Sequence, residues 1–174
     1  MNATDHFTLL GLPRAFSVDP QVLEAAWKRV ATAVHPDRFA AGSAAEKRVA
    51  LQWSTQANEA WRVLKDPLSR ARYLCELSGI DLQTETNTAM APAFLMQQME
   101  WHEALEELAS HPDPDGYRVL TKQFDEARNE FVQTLTELFE KQQFDQAAAR
   151  VREWMFLEKL ITQLKQTHGV TADL

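Results

Sequence analysis

Pro36 divides a stretch of chain that would otherwise read as one continuous helix. It has no backbone N–H to donate, and its ring pushes His35 out of the helical region. The apolar-periodic stretch over residues 22–34 therefore cannot run into the equally periodic stretch that starts near residue 44. Two helices folded back on each other are predicted, with His35-Pro36-Asp37 at the tip of the hairpin. That corner holds an imidazole and a carboxylate on either side of a stiff bend. One offers ring nitrogens, and the other can accept an arginine fork.

The flanking sequence is punctuated in the same way. Asp19-Pro20 opens the first long helix, with Asp as N-cap and Pro at the first helical position. Leu23, Trp27, Val30 and Val34 repeat at helical spacing and are expected to be buried. Ser43-Ala44-Ala45-Glu46 has the form of a capping box that starts the second helix. Val49, Trp53, Ala57, Ala60 and Leu64 follow on one face, the predicted core side. Asp66-Pro67 caps a short helix over residues 68–77, and Ser78-Gly79 ends it. The polar run 83–88 has no apolar period and is read as part of a linker over residues 80–91.

Helical periodicity returns at Pro92 in three stretches. The first covers 93–110 and ends at a predicted loop over 111–116. The second covers 117–142, with Leu120, Phe124, Ala127, Phe131, Leu135 and Leu138 in a three–four rhythm, and the third covers 144–167. Short connections make neighbouring helices antiparallel, so a three-helix bundle over 92–174 is the economical solution. The predicted fold is all-α: a hairpin domain over residues 1–79, a linker, and a bundle.

Composition narrows the function. Residues 1–79 hold 10 Lys/Arg against 8 Asp/Glu, whereas residues 80–174 hold 8 against 17, which together give the net charge of -7. An acidic C-terminal half speaks against nucleic acid, whose binders carry a basic footprint, and suits a protein partner presenting basic residues. Cys75 is the single cysteine, so no internal disulfide is possible and a reducing compartment is expected. No apolar run is long enough to span a bilayer, and no basic-then-apolar leader opens the sequence. A cytoplasmic location without membrane attachment is the expectation.

The helix beginning near Ala93 carries apolar residues on two faces. At about 100° per residue, Phe94, Trp101, Leu105 and Leu108 fall within an arc of about 60°. Met96, Met99, Glu100, Glu103 and Glu107 fall within about 100° on the opposite side, with Leu95 at the edge. Thioethers among carboxylates make an adaptable apolar patch with a charged rim, suited to holding another protein. Phe156 likewise sits off the stripe of Val151, Trp154, Met155, Ile161 and Leu164 in the last helix. The pattern fits equally a second reading, in which Met96, Met99 and Phe156 pack against the N-terminal domain or each other.

Other chemistries have little support. No Ser or Cys nucleophile or glycine-rich oxyanion feature accompanies His35 and Asp37. His102-Glu103-Ala104-Leu105-Glu106 has half of a zinc-helix signature and lacks the second histidine. Cys75, inside a helix, reads as a small apolar filler. No phosphate-binding loop is present, so no enzyme activity, metal or cofactor is assigned.

The order of motifs over residues 5–76 resembles the J-domain of DnaJ-like co-chaperones. Asp5-His6-Phe7-Thr8-Leu9-Leu10-Gly11 precedes the hairpin, His35-Pro36-Asp37 caps it, and Asn58-Glu59-Ala60-Trp61 through Arg70-Ala71-Arg72-Tyr73 closes it. With Phe94-Leu95-Met96-Gln97-Gln98-Met99-Glu100 and Val151-Arg152-Glu153-Trp154-Met155-Phe156 behind it, the whole chain resembles the HscB family, J-type co-chaperones of iron–sulfur cluster assembly. The resemblance implies that His35, Pro36 and Asp37, with Lys28, Arg29 and Arg38, meet a DnaK-type ATPase, HscA. The other reading of the three cations is as ordinary solvated charges. It also implies that Leu95, Met96, Met99, Glu100, Glu103, Glu107 and Phe156 hold the scaffold protein IscU. Eukaryotic relatives carry paired CxxC ligands ahead of the J-domain, so a bacterial-type protein is expected. A J-protein serving a different client, and a structural bundle behind a degenerate hairpin, are the rival functions.

Overall fold

The computed structural model describes residues 4–83 and 90–172, with side chains described through Thr167. Among them are seven α-helices and no strand: α1 (His6–Leu10), α2 (Pro20–Ala33), α3 (Ala44–Lys65), α4 (Pro67–Leu77), α5 (Pro92–Ser110), α6 (Pro114–Glu140) and α7 (Phe144–Ala172). The chain divides into two compact units, Met1–Leu77 and Ser78–Leu174. Half of the run read as a linker over 80–91, residues 84–89, lies outside the described residues. Its start, by contrast, is anchored in the second unit: Leu82 is buried, and the Asp81 carbonyl accepts from Arg152 Nη2 at 3.2 Å. No described helix is long and apolar enough to cross a membrane.

In the first unit α2 and α3 form the antiparallel hairpin. Asp19 caps α2 by accepting from Gln21 N, with Pro20 at the first position, and Ser43 and Glu46 complete a reciprocal capping box on α3. Ala57 and Ala60, both fully buried, let the helices approach closely. Trp27 stacks on Trp61 with centroids 5.1 Å apart and donates from its indole N–H to Asn58 at 3.1 Å, which fixes the hairpin register.

The expected core face of α3 needs correction at its N-terminal end. Val49 is 52% exposed and Trp53 41% exposed, and Ala50 is the buried residue of that turn. The cause is length. α2 has 14 residues and α3 has 22, so at about 1.5 Å per residue the first turns of α3 project beyond α2. Helical period places Val49 and Trp53 on the core side, and both stay exposed in these first turns.

Two polar contacts lock α1 and α4 onto the hairpin. Arg70 is buried, donating from Nε to Phe16 O and from Nη1 to Leu64 O, each at 2.6 Å, with its guanidinium carbon 5.4 Å from the Phe16 ring centre. The Tyr73 hydroxyl accepts the His6 N–H at 3.0 Å. At the start of α1, burial would raise the Asp5 carboxyl. The Arg14 guanidinium, the Thr8 N–H and the Thr8 hydroxyl outweigh that and hold its pKa at about 2.

The second unit is the expected three-helix bundle. α6 and α7 form its most extensive pair, and α5 packs against both. Its core is rich in aromatic side chains: Phe131 stacks on Trp154, and Trp101 meets Phe124 edge-on at 5.4 Å. α6 begins three residues earlier than expected. The Asp113 carboxylate accepts from Asp115 N and Gly116 N, and Pro114 occupies the first helical position, so half of the predicted 111–116 loop is helix.

Candidate functional site

The tripeptide at the hairpin tip forms the start of a 3-10 turn, Pro36–Phe39, and is not an open loop. His35 is its N-cap residue, and its Nδ1 accepts the Asp37 N–H at 3.3 Å. A neutral ring with Nδ1 as acceptor carries its proton on Nε2, which remains a donor. The Asp37 side chain is 92% exposed, 3.6 Å from His35 Nδ1. The bend thus spends one histidine nitrogen on its own backbone and presents a free carboxylate to solvent. Such a pair can recognise a cation and an acceptor on another protein.

The basic side chains assigned to this face behave differently from one another. Lys28 pairs with Glu24 on the same helix, Arg29 Nη2 donates to the Leu10 carbonyl at 3.2 Å, and Arg38 Nη1 donates to the Thr32 carbonyl at 3.3 Å. Arg29 therefore ties α1 to α2 as well as adding charge. All three remain exposed.

On α5 the wheel positions resolve cleanly into inside and outside. Trp101, Leu105 and Leu108 are buried, while Leu95 is 46%, Met96 66% and Met99 69% exposed. The packing alternative does not apply to the two methionines. Glu100, Glu103 and Glu107 are exposed beside them, Glu100 taking Gln97 Nε2 at 3.0 Å and Glu107 lying 3.2 Å from His111 Nδ1. Phe156 is half-buried. It meets Phe94 and His102 edge-on, at 6.4 and 5.9 Å, and so lies along the flank of α5 that His102 shares with Leu95 and Met99. His102 is exposed, with its ring edge-on to Phe156, and among the described residues no cluster of three metal-ligating side chains occurs.

A buried carboxylate beneath α5 was not anticipated. Glu153 is 1% exposed; its Oε1 accepts from Arg150 Nη2 at 2.7 Å and from the Ala91 N–H at 3.4 Å, while its Oε2 has no hydrogen-bond partner. Burial pushes its pKa up, against the opposing pull of Arg150 and the Ala91 N–H. The signal was available: Glu153 falls four residues before Leu157, on the stripe that α7 turns inward. Five residues on, Glu158 shows the opposite balance. Burial would raise it, but a two-pronged contact from Arg128 (2.7 and 2.6 Å) and the Trp154 indole N–H at 3.0 Å hold it low.

Over 165 residues the chain is 56% identical to the co-chaperone protein HscB homolog of Bordetella pertussis, covering 94% of this chain and 96% of that one. It belongs to the HscB family. Residues 90–165 match the sequence model described as the HSCB C-terminal oligomerisation domain. Chaperone HscB from Vibrio cholerae superposes with a TM-score of 0.80 at 30% identity, over 95% of this chain and 98% of that one. The human co-chaperone protein HscB gives 0.86 at 28% identity, over 95% and 83%. Family and fold make the chain a J-type co-chaperone of iron–sulfur cluster assembly, with the J-domain in the first unit and an all-helical C-terminal domain in the second.

Proposed function

We propose that this co-chaperone binds IscU on the outer face of α5 and delivers it to the DnaK-type chaperone HscA, whose ATPase it stimulates through His35-Pro36-Asp37. The division is by unit: residues 1–79 face the chaperone, residues 92–174 hold the scaffold, and residues 80–91 join them. Leu95, Met96 and Met99 supply the apolar contact together with Phe156, and Glu100, Glu103 and Glu107 give it a charged rim. Lys28, Arg29 and Arg38 steer the chaperone toward the hairpin tip. No bond is made or broken on this chain; ATP is hydrolysed by the partner, and the setting is the cytoplasm.

One observation carries the reading. Two surfaces of opposite character, an exposed His–Asp corner and an exposed methionine–glutamate face, stand on two separate compact units. A two-handed adaptor needs that separation, because it must grip a client while favouring one conformation of the motor. The experiment is a steady-state ATPase assay of HscA with this protein, with IscU, and with both. Greater stimulation by both than by either alone is expected; equal rates with and without this protein would defeat the assignment.

A further inference from the structure

Beside the α5 face lies a groove between α5 and α6 with a volume of 520 Å³. Phe94, Trp101 and Phe131 form its aromatic floor. Three carboxylates line it from two helices, Glu100 on α5 with Glu126 and Glu130 on α6. Glu153 lines it from α7, nine-tenths and more buried, with one carboxylate oxygen lacking any hydrogen-bond partner. Against four carboxylates the groove has a single lining cation, Arg150; Lys122 approaches Glu126 from outside at 3.7 Å. Burying a carboxylate with an empty acceptor is costly unless something supplies charge and donors. Aromatic faces beside carboxylates make a site for a guanidinium or ammonium group, which gains from both.

Glu100 belongs at once to the groove and to the methionine face, so the two are one continuous surface. We infer that the α5–α6 groove receives a lysine or arginine side chain of the protein docked on Leu95, Met96 and Met99, which extends that interface onto Glu126 and Glu130 of α6. The inference rests on the proposed scaffold-binding face. It makes charge complementarity at the groove, and not apolar area alone, a determinant of which scaffold is accepted.

Glu126 and Glu130 are exposed, so their replacement leaves the bundle core untouched. Glu126→Gln with Glu130→Gln, in the full chain, is to be titrated with purified IscU at low and high salt beside Met96→Ala with Met99→Ala. The glutamine pair is expected to weaken binding about tenfold at low salt, with the gap to wild type closing as added salt screens the charges. Wild-type affinity of the glutamine pair at low salt, with the alanine pair weakened, would overturn the groove and leave the α5 face standing. Wild-type affinity of the alanine pair would overturn the face, and the groove with it.

Discussion

The hairpin tip and the outer face of α5 achieve exposure by opposite means. At the tip, geometry is local and polar: Pro36 fixes the bend, His35 caps a short turn with its own ring nitrogen, and Asp37 is left almost wholly in solvent. Little else in the fold is needed to define it. On α5 the exposed groups are flexible thioethers, and what holds them in place is the opposite side of the same helix, packed through Trp101, Leu105 and Leu108. A rigid polar corner suits a brief, geometry-sensitive contact; an adaptable apolar face suits a longer hold. The lesson is that one chain can separate a trigger from a grip by assigning one to backbone geometry and the other to helix packing.

That contrast can be broken most completely at the corner. Asp37→Asn is expected to abolish stimulation of HscA turnover while leaving the IscU binding isotherm unchanged; retained stimulation would show that the carboxylate is dispensable. Next in size is the grip. Losing about 1 kcal/mol of apolar burial for each methionine would lower IscU affinity by about an order of magnitude or more in Met96→Ala with Met99→Ala, measured by calorimetry. The melting temperature should barely move, since both side chains are 66% exposed or more. A large drop in thermal stability would mean that the face is part of the core after all.

Arg70 tests whether the trigger needs its unit intact. Arg70→Met removes the guanidinium that donates to the Phe16 and Leu64 carbonyls, at a cost of about 1–3 kcal/mol. Denaturant unfolding of the isolated change should show the first unit destabilised, with IscU binding by the second unit preserved. Parallel loss of both activities would merge what the contrast separates. The smallest effect lies with pH. Asp5 is held at about 2 in the folded chain against an ordinary 3.8, so its contribution is complete above 3.8 and vanishes as the pH falls through about 2. Acid unfolding of Asp5→Asn should therefore lack part of the wild-type pH dependence between those values, in the first unit alone.

Much of this was legible beforehand because proline, capping residues and helical period act locally. Asp19-Pro20, the Ser43–Glu46 box and Pro36 are where the helices begin and break, and the α5 wheel separates Met96 and Met99 from Trp101 and Leu105 as the structure does. The start of α6 differs from the expectation because a proline ends a helix as readily as it begins one, and only the Asp113 carboxylate accepting from Asp115 N and Gly116 N decides which.

The sequence by itself determined where helices form and which side chains share a face, since a 3.6-residue period and a missing N–H are properties of the chain alone. Tertiary structure decided what stands opposite each face. It left Val49 and Trp53 exposed in the first turns of α3, drew Arg70 inside to two carbonyls far apart in sequence, and set Glu153 beneath α5 with Arg150 and the Ala91 N–H as partners. The physical reason is that a charge stays buried only where polar partners meet it, and some of those partners, the Phe16 carbonyl for Arg70 and the Ala91 N–H for Glu153, come from distant segments that no local pattern locates.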